Sequence, residues 1–289
     1  MDPSTALQYV AFAILLGGIY GLVALGLTMI FGVMDVINFA HGALMVVGMY
    51  IVWWGTNELG LSLFLTIPIA VIALFVLGVG IHLSTIAPII DSSQENQLIV
   101  TFGVLLIIVS AIEIVFSADP QRLEFGLGSV QFAGVYLPLG QLYALIIAVL
   151  AVIIAWAFLQ YTQLGRAIRG TADNRDAAQY VGINVPRIDY LTFGFGAALA
   201  GLAGAVIPLF QSIDPHLGDA YLINAFVIVV LGGLGSFPGA LIGGMIIGFV
   251  HVFGQVFLPG SGYQIAIFLI FILVLLLKPS GLLGGDVHE

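Results

Sequence analysis

The 289 residues are 61% hydrophobic and only 7% charged, whereas an ordinary globular domain carries roughly 25% charged residues. Such a chain cannot hide its apolar surface from water, so a water-soluble fold is excluded and a lipid bilayer is the expected environment. With no cysteine there is no disulfide framework or thiolate metal site, and the formal charge of −9 fits either a halophilic source or sparse loops in which few acids outnumber fewer bases.

A spanning helix needs about 20 predominantly apolar residues to cross the hydrocarbon. Runs such as Leu98 to Val115 and Leu142 to Leu159 are apolar on every face, unlike the alternating strands of a membrane barrel. The predicted fold class is therefore all-α, a polytopic transmembrane helix bundle forming one domain over residues 1–289. The first apolar run begins near Tyr9 and no Lys or Arg precedes Arg122, so it reads as a mature first span and not as a cleaved signal peptide. Predicted spans cover residues 8–33, 35–57, 61–81, 97–117, 138–160, 188–212, 222–257 and 261–278, about eight in all.

Within the second span, Asp35, Asn38 and His41 recur at i, i+3 and i+6, which on a helix places them on one side. Polar groups at membrane depth are costly, so Asn38 and His41, followed by Gly42, either line a wet translocation pathway or belong to an internally hydrogen-bonded helix start. Glu113 lies close enough to the end of its span for its carboxylate to reach the interface. His82, His216, His251 and His288 are scattered without the close spacing of a zinc helix, so no metal is predicted.

Four of the six basic residues, Arg166, Arg169, Arg175 and Arg187, fall in the connection 161–187, which makes that loop cytoplasmic. Counting back from it places the N-terminus outside. Within the loop, Asp173 is a candidate N-cap, Asp176 sits in the first turn, and Gly182 supplies the left-handed position past the helix end, with Pro186 beyond. These signals predict a short surface helix over 172–182.

Small residues recur every four positions at Gly196, Ala200 and Gly204, at Ala197, Gly201 and Ala205, and at Gly235, Gly239 and Gly243, the spacing of close helix packing. The segment 222–257 is too long for one span and too short for two comfortable ones, and Gly232, Gly233, Gly235, Pro238 and Gly239 interrupt it. It either crosses once as a broken helix or enters and returns as a hairpin; only the hairpin puts Lys278 and the C-terminus in the cytoplasm. Unwound backbone at membrane depth must be buried in protein or line a wet cavity, so Gly232, Gly233, Gly235 and Pro238 join Asn38, His41 and Gly42 as pathway candidates.

A phosphate-binding P-loop needs a lysine after a glycine-rich turn. The only lysine is Lys278, followed by Pro279, so no such ATPase site is expected in the chain. An ion-coupled secondary transporter is the competing class; it normally carries ionisable groups at the bilayer midplane, and few are present here.

Three stretches, Ile37 to Gly42 (INFAHG), Gly165 to Asn184, and Val230 to Ser236 followed by Pro238-Gly239-Ala240, make the chain similar over nearly its whole length to the LivH-type permease subunits of branched-chain amino-acid ABC importers. That resemblance implies a non-enzymatic permease in a prokaryotic cell (inner) membrane. It also implies a second homologous (LivM-type) permease chain, two ABC ATPase subunits carrying ATP and Mg, and an extracytoplasmic substrate-binding protein, with no cofactor in this chain and no nucleic acid. The central loop resembles the ATPase-coupling loop of such permeases, with Gly165, Arg166, Ala172, Asp173, Ala177 and Gly182 at the matching positions. Related permeases serve branched-chain amino acids, urea, short amides or aromatic acids. One departure is the inner loop around Ser84 to Asp91, acidic here where relatives commonly carry arginine.

Overall fold

The computed structural model describes residues 3–123, 128–132 and 135–284; His288 lies outside them. Eleven α-helices run in the order α1 (Pro3–Met34), α2 (Ala40–Asn57), α3 (Leu63–Ile81), α4 (Gln94–Phe116), α5 (Leu139–Tyr161), α6 (Gln163–Asp173), α7 (Arg175–Tyr180), α8 (Val185–Val206), α9 (Leu217–Gly232), α10 (Phe237–Phe257) and α11 (Gly262–Leu277). A two-stranded antiparallel hairpin, β1 (Ser129–Phe132) and β2 (Val135–Pro138), is the one sheet among the described residues. The helical bundle expected from composition is the fold observed.

Six helical segments are long and apolar enough to cross a membrane; α9 and α11 are apolar but shorter. Helix α2 runs through the protein interior, with most of its residues buried. Apolar side chains cover the outside as well: Phe64, Ile114 and Leu276 are about four-fifths exposed (84%, 85% and 79%). That surface belongs against lipid or another subunit.

Two ends of the bundle are defined by contacts. At one, called the loop end, Arg175 meets the end of α1 and the start of α8. Gly235 lies against Gly32, and residues 281–284 cover the end of α9. At the far end, Gln121 and Ile213 form an isolated antiparallel bridge, His216 pairs with Glu113 at 3.0 Å, and Asn57 donates to the Arg122 carbonyl. Glu113 therefore does sit by the end of its span, in a hydrogen bond with His216 that the sequence did not reveal.

One expectation is corrected, and of the two courses open to the segment 222–257 the hairpin is the one observed. The segment 35–57 is not one helix: Asp35 adopts φ 52°, residues 35–38 are unwound, and α2 starts only at Ala40. Asp35, Asn38 and His41 consequently share no helical face. The stretch 222–257 is two helices, α9 and α10, joined by a turn at Gly233–Ser236, so the chain reaches the loop end and returns. The segment after α3 stays against the bundle. It continues through a π-helical turn (His82–Ile86) and a 3₁₀ turn (Ala87–Ile89), which bury His82 against Phe193.

Helix α1 packs most extensively on α10, while α8 packs on α3, α2 and α1. The small-residue spacing explains how. A side chain at Gly204 would strike the Met45 backbone, one at Gly201 would meet Leu74, and one at Gly48 would meet the Gly201 backbone, so α2, α3 and α8 converge at backbone contact distance.

Candidate functional site

The loop joining α5 to α8 is built from successive side-chain caps. The Thr162 hydroxyl accepts from Gly165 N at 2.9 Å, Asn174 Oδ1 from Ala177 N at 2.8 Å, and Asn184 Oδ1 from Arg187 N at 3.0 Å, starting α6, α7 and α8 in turn. The expected helix over 172–182 is therefore shorter. Asp173 ends α6, and Asn174, with an extended backbone (φ −157°, ψ 107°), takes the capping role assigned to Asp173. Gly182 has φ 86°, the left-handed conformation its position demanded.

Gly165 is buried in the corner between α5 and α6, where a Cβ would strike the backbone of Phe158 and Leu159. Arg166, Ala172, Asp173, Ala177 and Gly182 are exposed on the loop's outer surface. Beside them stand Tyr180 and Val181, 89% and 77% exposed, an apolar knob that sequence reasoning did not single out. Arg175 faces inward. Its guanidinium grips both oxygens of Asp189 at 2.9 and 2.8 Å and also donates to the Val33 carbonyl at 2.8 Å. With the Asp189 side chain only 4% exposed, this bidentate pair joins the loop to α1 and α8 in one rigid joint.

Asn38 and His41 are completely buried. Asn38 Oδ1 accepts from Ala40 N at 3.0 Å, and His41 Nε2 donates to the Val23 carbonyl at 3.0 Å, while Gly42 lies against the Gly218 backbone. Asn38 Nδ2 and His41 Nδ1 have no partner. The glycine turn lies elsewhere. The N–H groups of Leu282 and Leu283 bond the Leu231 and Gly232 carbonyls at 2.8 and 3.0 Å, satisfying the orphan acceptors at the end of α9. Ser236 caps α10, and Pro238 occupies its first turn. Phe39 touches Phe226, six residues before Gly232, so the turn lies about 9 Å along the axis from the start of α2. The two groups of candidates are separate places in the structure.

A third place was not anticipated. Two adjoining cavities of about 620 and 320 Å³ share Gln211 and His251 and lie among α1, α5, α9, α10 and α11. In them Asn224 Nδ2 donates to Tyr20 Oη at 3.1 Å, Tyr20 Oη meets His251 Nδ1 at 2.9 Å, and Gln255 Nε2 meets His251 Nε2 at 2.9 Å. Gln211 Nε2 donates to Tyr221 Oη at 3.1 Å. None of the residues lining either cavity is Asp, Glu, Lys or Arg.

The family described as the branched-chain amino acid transport system permease component matches residues 9–277. The chain belongs to this family. It is 30% identical over 293 residues to the high-affinity branched-chain amino acid transport system permease protein LivH of Salmonella typhimurium, covering 96% of this chain and 95% of that one. A probable LivH of Methanocaldococcus jannaschii is 32% identical (95% and 91% covered), and the ribose import permease protein RbsC of Escherichia coli is 29% identical over 218 residues (72% and 68%). No solved structure matches. The chain is a multi-pass membrane permease component; among the described residues no group of three or more His, Asp or Glu could hold a metal ion.

Of the permease's polar groups, those around His251 carried no sequence signal except rarity. Tyr20, Asn224 and His251 sit in three different helices, and only packing of α1 against α9 and α10 joins them. A polar residue inside each apolar span was the available clue, and scattered singly it pointed nowhere.

Proposed function

We propose that this permease is the membrane-spanning subunit of an ATP-driven importer of branched-chain amino acids or a related small polar solute. It pairs with a second permease chain, receives substrate from an extracytoplasmic binding protein, and rests its α6–α7 loop on one of two separate ATPase subunits. The observation that carries this reading is the Arg175–Asp189–Val33 joint, which attaches an exposed, apolar-tipped loop to two long helices. A loop so attached transmits a push; a merely solvated loop needs no such anchor.

The loop end is taken as cytoplasmic because the arginines cluster there. On that reading the N-terminus lies outside and Lys278 inside. ATP binding draws the loops of the two permease chains together, and differential binding of the ATPases to two arrangements of the bundle exposes the pathway alternately to each side. Of the substrates related permeases serve, branched-chain amino acids are favoured over urea, short amides and aromatic acids by the LivH relatives.

The test is uptake and ATP hydrolysis in vesicles holding this chain with its partner permease, ATPases and binding protein. The expected result is ATP-dependent uptake that Gly182→Pro abolishes while the ATPases still hydrolyse ATP. Uptake by this chain alone under an ion gradient, without ATP, would replace the reading with an ion-coupled transporter.

A further inference from the structure

The polar side chains around His251 are the least expected groups in the molecule. They lie about 21 Å from the loop end along α10, among apolar helices, with Tyr20 buried, His251 half-buried and Gln255 exposed; for the buried members each unmet hydrogen bond is expensive. Nothing in folding requires them, because α1 and α10 already pack through Gly17, Gly21, Gly244 and Gly248 at backbone contact distance.

Their hydrogen bonds have one direction. With the Gln255 amide nitrogen donating to His251 Nε2, the imidazole carries its proton on Nδ1 and donates to Tyr20 Oη, which also accepts from Asn224. Tyr221 Oη accepts from Gln211 in the same manner, and Tyr263 Oη from Gln264 at 3.4 Å. Each hydroxyl oxygen is thus occupied as an acceptor while its own proton stays free to be donated. Beside these donors the smaller cavity presents Leu217, Ile267 and Phe268, an apolar wall. In the adjoining cavity Gln141 Oε1 is a buried acceptor without a partner.

We infer that the paired cavities centred on Tyr20, Tyr221 and His251 form an intramembrane binding site for a small net-uncharged solute that carries a carboxylate or carbonyl head and an apolar body. The head accepts from the tyrosine hydroxyls and the body lies on Ile267 and Phe268. Absence of any ionised lining residue selects against inorganic ions and multiply charged solutes, whose desolvation nothing here would offset. A zwitterion such as leucine fits through its carboxylate on the hydroxyl donors and its side chain on the apolar wall. This deepens the permease reading and rests on it, moving the solute-contacting residues from Asn38 and His41 to the far-end half of α1, α9 and α10.

The cysteine-free chain offers a direct test. Asn224→Cys, and Gln255→Cys as a second reporter should the first not assemble, are treated with a small polar thiol reagent in the reconstituted complex, with Ile272→Cys on the outer apolar face as control. Labelling of the cavity cysteine, slowed at least about threefold by leucine or acetamide but not by isoamylamine, which lacks the acceptor head, is the expected result; about threefold slowing corresponds to solute at about twice its Kd. Equal labelling with and without leucine and acetamide, or equal slowing by isoamylamine, overturns the site. In parallel, Tyr20→Phe with Tyr221→Phe lowers maximal uptake about tenfold by removing two donors, and the Gln255→Phe variant is read by the same measure. Unchanged uptake in these variants overturns the site while leaving the permease intact. Failure of the unaltered complex to take up any solute with ATP defeats the permease reading instead, and labelling still decides the site.

Discussion

The loop end and the far-end cavity are made of opposite materials. At the loop end, charged and capping side chains act over short sequence distances: Asn174, Asn184 and Thr162 each cap a helix three residues on, and Arg175 reaches Asp189 fourteen positions away. In the cavity, neutral side chains meet across more than two hundred positions, as Tyr20 does with Asn224 and His251. The first arrangement makes a stiff handle at the surface; the second makes a neutral polar pocket among apolar helices. On the proposed function, force and recognition are kept apart in one chain.

Breaking the scaffold common to both regions has the largest effect. Gly204→Leu drives a side chain into the Met45 backbone, so a loss of about 3 kcal/mol or more is expected, seen as failure to recover folded complex by size-exclusion chromatography. Arg175→Met strikes the handle alone. It leaves Asp189 buried and uncompensated, costing about 2 kcal/mol because Arg175 itself is one-third exposed. Adding Asp189→Leu restores most of the thermal stability yet leaves ATP hydrolysis uncoupled from uptake, which separates a coupling role from a folding one.

Gly182→Pro is gentler on the fold. It removes the N–H that bonds Gln179 O at 2.9 Å and opposes φ 86°, costing about 1–2 kcal/mol locally while abolishing coupling. Tyr180→Ala has the smallest effect on stability, within about 0.5 kcal/mol for so exposed a side chain. It nevertheless weakens capture of the ATPase by about tenfold in a pull-down titration, if the apolar knob is the contact. Ser261→Cys, in the turn between α10 and α11, sharpens the comparison by sidedness: an impermeant thiol reagent labels it from outside, whereas Gln179→Cys in the loop labels only after permeabilisation.

Much of the loop was legible in advance because capping and left-handed glycines are local physics. Gly182 is where the pattern placed it, but the expected helix 172–182 is only Arg175–Tyr180, its cap is Asn174 in place of Asp173 because both types accept equally well from a following N–H, and helix α6 before it was not foreseen. The hairpin at Gly233–Ser236 was likewise readable as one of two alternatives, its glycines marking the turn. The unwinding at Asp35–Asn38 was not, because Val36 and Ile37 continue the apolar run that helix periodicity rests on, and the positive φ of Asp35 has no glycine to announce it.

Composition alone determined that this protein is a membrane-embedded helical bundle, because apolar surface on every face leaves lipid as the only compatible solvent. Local spacing determined the loop's caps and where glycines let helices touch. Which polar residues share a cavity was decided only by tertiary structure. Apolar helices can pack on many faces with similar energy, so the face each turns inward, and hence whether Tyr20 meets His251 or lipid, depends on backbone contacts such as Gly17 with Gly244 that arise between distant segments.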